Sequence, residues 1–153
     1  MKKVIILFVL SLAVSFIIQA PSKAFARRFQ ILDEVQLTEE EGCSFIDVSF
    51  NIPMRYIKHF PYDEGEDLRI KLETLRINPR DSSAQFQREY PGSVSNDLSK
   101  LADVVFEGDV EGGPFLAIFF HNALRFKVSQ GTDFRSLVIS ISHDEKEPCD
   151  PME

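Results

Sequence analysis

The side chains best suited to ligand chemistry are the cations that interrupt an acidic chain. Arg55 precedes Tyr56 and Arg125 precedes Phe126, while Arg69 and Lys127 stand in alternating apolar-polar runs, with Lys58 and Lys71 nearby in sequence. A guanidinium fork binds a carboxylate through two parallel hydrogen bonds, which a lysine cannot do. Arg55, Tyr56, Arg69, Arg125, Phe126 and Lys127 are therefore the expected ligand-binding set, and the ligand they suit is a carboxylate-bearing peptide or an acidic protein surface. The competing role for such cations is to neutralise acids across neighbouring strands, worth roughly 0.2–1 kcal/mol per pair.

Catalytic constellations are not legible. His59, His121 and His143 are far apart, with neither His-Glu-x-x-His nor Cys-x-x-Cys, so no metal site is expected. No Gly-x-Ser-x-Gly turn presents a serine nucleophile. Two carboxylates can always be found among 24 acids, so a glycosidase pair has no sequence support. The chain has no Trp for sugar stacking, which leaves Tyr56, Tyr62 and Tyr90. The acidic stretch Asp63 to Asp67 lacks the twelve-residue calcium-loop pattern. The expectation is a protein that is not an enzyme and carries no cofactor.

Stepping along the chain, Met1-Lys2-Lys3, the apolar run Val4 to Ala20 and Ala24-Phe25-Ala26 follow the basic, apolar, small-residue order of a secretory signal peptide. Residues 1–26 are expected to be cleaved near Ala26, leaving no stable membrane insertion. Retention as an anchor is the alternative, although about 17 residues is at the short limit for a bilayer span and Pro21 ends the helix. Losing Lys2, Lys3 and Lys23 takes the formal charge from −7 to −10. That charge disfavours nucleic acid and anionic lipid, both bound through clustered Lys and Arg. An exported chain meets an oxidising compartment, where Cys43 and Cys149 can form a disulfide; the other possibility is a loose acidic tail over residues 144–153.

The elements that must position these residues are strands, and they recur. Residues 31–56 laid on 101–126 without a gap give seven identities, Asp33/Asp103, Val35/Val105, Glu41/Glu111, Gly42/Gly112, Phe45/Phe115, Phe50/Phe120 and Arg55/Arg125. Apolar residues alternate with polar ones at Ile46–Ile52, Leu68–Leu72, Leu124–Val128 and Leu137–Ile141, as half-buried strands require. The repeat predicts an all-β domain over residues 27–143 with similar halves at about 31–75 and 101–141. A polar linker, 76–100, joins them. Neither half can bury its apolar face alone, so the expectation is a small two-sheet sandwich with Phe45, Phe50, Phe115 and Phe120 in its core.

The segments Ser-Phe-Asn-Ile-Pro-Met-Arg-Tyr with Leu-Arg-Ile-Lys-Leu, and Phe-His-Asn-Ala-Leu-Arg-Phe-Lys-Val with Ser-Leu-Val-Ile-Ser-Ile, resemble the AMIN domain, a β module of two similar halves found beside cell-wall amidases and pilus secretins. The similarity spans roughly residues 45–141. It implies an exported, non-catalytic module in the periplasm that binds peptidoglycan or its stem peptides. The alternative expectation is an adaptor subunit of an envelope or secretion machinery that pairs with a protein partner through an exposed edge strand.

Overall fold

In a computed structural model of the chain, the residues described are 28–40, 42–95, 97–98, 102–143 and 149. The expected signal segment, and all of the acidic tail except Cys149, lie outside them. The strands are β1 (Leu32–Glu40), β2 (Cys43–Phe50), β3 (Met54–Phe60), β4 (Glu64–Thr74), β5 (Arg88–Glu89), β6 (Ser93–Val94), β7 (Ala102–Glu107), β8 (Phe115–Gln130) and β9 (Ser136–Ser142), with one 3-10 turn at Ser82–Phe86. The fold is all-β. Residues 76–100, expected as a linker, hold the 3-10 turn, β5 and β6, the two short strands pairing with β7 and β1.

The strands form one hydrogen-bonded sheet in the order β3-β4-β8-β9-β2-β1-β6, with β7 also on β8 and β5 on β7. Where a two-sheet sandwich was expected, the strands are joined in one hydrogen-bonded sheet, and the link is β8. Its first part, Phe115 to Phe120, sits between β4 and β7, and its last part, Arg125 to Gln130, pairs with β9. Between them the register on β4 jumps from Gly65↔Leu124 to Asp67↔Phe119, and His121, Asn122 and Ala123 are exposed. Extra residues on one strand of a pair bend it. Both parts of the sheet consequently contribute to one core: Leu68, Ile70, Leu116, Ile118 and Phe106 from one side, Ile46, Val48, Leu137, Ile139 and Ile141 from the other.

The order β1-β2-β9-β8 (last part) matches β7-β8 (first part)-β4-β3. Leu32 pairs with Phe50 and Ala102 with Phe120, positions that the sequence alignment also sets opposite each other. The two runs differ at one place: β2 and β3 are separate strands, whereas β8 continues through. Pro53 stands where the aligned position is Ala123, and a proline has no N–H for the ladder.

Alternation decides the phenylalanines. Phe50 and Phe120 are core residues. Phe45 follows Ser44 and precedes Ile46, which puts it on the opposite face, buried but outside the core cluster. Phe115 is only partly buried, with Lys71 Nζ 5.0 Å from its ring centroid. Cys43 and Cys149 are joined in a disulfide that spans a separation of 106 residues.

Candidate functional site

The expected cationic set is not one strip. Arg55 pairs in register with Glu73 near one end of β4, and Arg125 pairs with Glu64 at the other. At ~3.3 Å per residue these ends are roughly 30 Å apart. Each guanidinium already has an acid: Arg55 Nη1 lies 3.2 Å from Glu73 Oε2 and Arg125 Nε 3.4 Å from Glu64 Oε2, all four side chains about half exposed. Arg69 Nη1 is 3.7 Å from Glu107 Oε2, and Arg88 Nη2 is 3.1 Å from the other oxygen of that buried carboxylate. Lys127 is exposed and lies opposite Ser140.

The two aromatic members behave differently. Phe126 is buried and stacks on Phe120, with centroids 5.7 Å apart, so it serves the core and offers no face to a ligand. Tyr56 is half-buried, and its hydroxyl lies 2.7 Å from His59 Nδ1. Because His59 Nε2 is 2.8 Å from the Tyr62 carbonyl, that nitrogen must donate, and in the neutral ring Nδ1 then accepts from the Tyr56 hydroxyl. Burial pushes the Tyr56 phenol up, with the nearby Tyr62 adding to the shift.

One pair has the spacing of a nucleophile and its base: Ser44 Oγ and His143 Nε2 are 2.7 Å apart. Ser44 has no exposed surface and lies mid-sheet, opposite Glu39 of β1 and Ile141 of β9. A substrate carbonyl has no path to it. Among the described residues, no group of three or more His, Cys, Asp or Glu is arranged to hold a metal ion, and no helix is long and apolar enough to cross a membrane.

The sheet edges are more informative. The end of β1 carries exposed Glu39 and Glu40, and β5 and β6 are two residues each. A cleft of about 570 Å³, lined in part by Tyr90, Val94, Leu98, Val105 and Phe119, runs beside β7. Ala102 and Val104 are nonetheless almost fully buried there, so the β7 main chain is covered. By contrast, β3 ends the sheet order, and no strand of the described residues is ladder-paired with its far edge, where only the end of β8 comes near.

The edge of β3 has two parts. Over its first part the Gln130 side chain acts as a partner: Tyr56 N–H donates to Gln130 Oε1 at 2.7 Å, and Gln130 Nε2 donates to the Met54 carbonyl at 2.8 Å. The Met54 N–H is taken by the Phe134 carbonyl at 2.7 Å. A bulge between Tyr56 and Lys58 then shifts the register against β4, and from there Ile57, Lys58 and Phe60 are exposed, with His59 half-buried between them. Ile57 is 44% exposed, Phe60 74% and, beyond the strand, Tyr62 82%.

The β3–β4 turn is held by close packing. A Cβ on Gly65 would meet Pro61 Cγ at 2.7 Å, so only glycine lets the proline ring sit there. Sequence reasoning missed Ile57, Phe60 and Gln130, because it sought charge. The available signal was Phe60-Pro61-Tyr62-Asp63-Glu64-Gly65, two large aromatics inside a turn-forming stretch. No protein-family model, curated protein or solved structure matches this chain.

Proposed function

We propose that this chain is an exported, non-catalytic module that engages a protein partner at the open part of the β3 edge. The observation that carries this reading is the stretch from Ile57 to Phe60, with no strand of the described residues ladder-paired to its outer edge and with Ile57 and Phe60 in solvent. An unpaired edge supplies main-chain donors and acceptors to an added strand, and exposed apolar side chains supply its contacts. The basic-apolar-small order of residues 1–26 and the Cys43–Cys149 disulfide support export to the periplasm. The peptidoglycan reading depends on Arg55 and Arg125 acting as free carboxylate forks, and their glutamate neighbours weaken its support. A duplicated, AMIN-like origin is part of the same proposal. It draws on the aligned registers Leu32↔Phe50 and Ala102↔Phe120.

Site-specific photo-crosslinking in exporting cells tests the function. A crosslinker replacing Lys58 is expected to give a discrete protein adduct, and one replacing the outer-face Lys127 is expected to give none. Cosedimentation of the purified protein with cell wall, abolished by Arg55→Ala with Arg125→Ala, would overturn the reading in favour of stem-peptide binding.

A further inference from the structure

We infer that the strand added to β3 is an extended, lysine- or arginine-bearing segment of another protein, held at its apolar positions by Ile57, Phe60 and Tyr62 and at its cations by the acids of the β3–β4 turn and the start of β4. This inference rests on the interaction reading above and names the chemistry of the occupant.

Geometry sets the register. Gln130 and Phe134 already occupy the main chain of Met54 and the N–H of Tyr56, so an incoming segment has to start at the bulge and run toward Phe60. There it meets Phe60 and then Tyr62, the two most exposed of the large hydrophobic residues described. Aromatic faces in solvent attract cations through their quadrupoles.

Charge selects the partner. Asp63 in the turn and Glu66 and Asp67 in the first part of β4 are exposed, and no ion pair joins them to any described residue; Glu64, which opens β4, is the one that Arg125 engages. Asp63 directly follows Tyr62, and Glu66 directly follows Gly65, which packs on Pro61 between the two aromatics, so a segment that runs past Lys58 and seats apolar side chains on Phe60 and Tyr62 places its next residues toward these acids. Lysines and arginines gain there and acids are repelled. A second copy of the chain is a poor occupant. Along the β3 edge only the four residues Ile57 to Phe60 are open among the described residues of each copy, and two chains of charge −7, or −10 after signal cleavage, oppose one another.

The test uses the exported protein without residues 1–26 and three fluorescent ten-residue peptides of alternating valine with lysine, serine or glutamate. The lysine peptide is expected to bind at least about tenfold more tightly than the serine peptide at low salt, with the glutamate peptide weakest. Asp63→Asn, Glu66→Gln and Asp67→Asn together are expected to remove the advantage of lysine over serine. Phe60→Ser with Tyr62→Ser is expected to weaken all three, with chemical-shift changes in wild type confined to residues 57–67. Equal binding of lysine and serine peptides at that edge overturns the cationic occupant and leaves the edge reading standing. No binding of any peptide, together with no Lys58 adduct in cells, overturns both. A concentration-dependent dimer lost on Phe60→Ser replaces the foreign segment with a second copy.

Discussion

The Glu89 carboxylate accepts a hydrogen bond from the Leu32 backbone N–H at 2.9 Å, and the same oxygen takes the Ile31 N–H at 2.7 Å. A buried acid on β5 thus receives the start of β1, 57 residues earlier in the chain. Burial pushes this carboxyl up, and the two N–H donors only partly offset that. Its folded pKa lies above its unfolded one, so the native state holds the proton more tightly. Its contribution to stability is complete below the usual carboxylate range and is lost as pH rises through the raised folded value. Glu89→Gln keeps an acceptor for both N–H groups and is expected to reduce this loss, with stability equal to or above wild type at neutral pH. Glu89→Ala leaves two buried donors unpaired and is expected to cost about 1–3 kcal/mol. Urea unfolding from pH 4 to pH 8, a span set by the ordinary carboxylate range of about 4 and by neutrality, checks both. An unchanged pH slope in Glu89→Gln would refute the assignment.

Gln130 stands in for a strand along the first part of β3. Gln130→Ala is expected to lose about 1–2 kcal/mol for its two hydrogen bonds and to make the protein associate with rising concentration, since the opened edge becomes a template. Sedimentation velocity across a concentration series separates this from simple loss of stability.

The exposed pairs Arg55–Glu73 and Arg125–Glu64 are expected to be energetically minor. Replacing both arginines with alanine should change stability by about 0–1 kcal/mol per pair, and less in high salt. Thermal melts at two ionic strengths measure it, and a large loss in high salt would show that these side chains pack as well as pair.

The Cys43–Cys149 bond closes a loop of more than a hundred residues. The chain-entropy relation puts the contribution of so long a loop at up to about 4–5 kcal/mol. Cys43→Ser with Cys149→Ser is expected to lower Tm while leaving the fold intact, because the apolar core is made by the strands. Hydrogen exchange should quicken first at the start of β2 and the end of β9, which pair through Cys43 and Ser142.

Much of the strand content was legible because each alternating run, such as Leu68-Arg69-Ile70-Lys71-Leu72, records a strand with one face in the core. The likeness between residues 31–56 and 101–126 was also readable, and it put Leu32 and Phe50 in the same relation as Ala102 and Phe120. Which strand lies beside which was not written locally. That β8 would run straight through where β2 and β3 break, joining the strands into one hydrogen-bonded sheet, depends on pairings between strands far apart in the chain. The site followed the same division. Arginine and tyrosine types were visible, but whether Arg55 meets Glu73 or a ligand, and whether Phe126 faces core or solvent while Phe60 does the reverse, depends on neighbours brought by the fold. Local sequence sets side-chain alternation along a strand, whereas burial and ion pairing are properties of the space between strands, which exists only once they have packed.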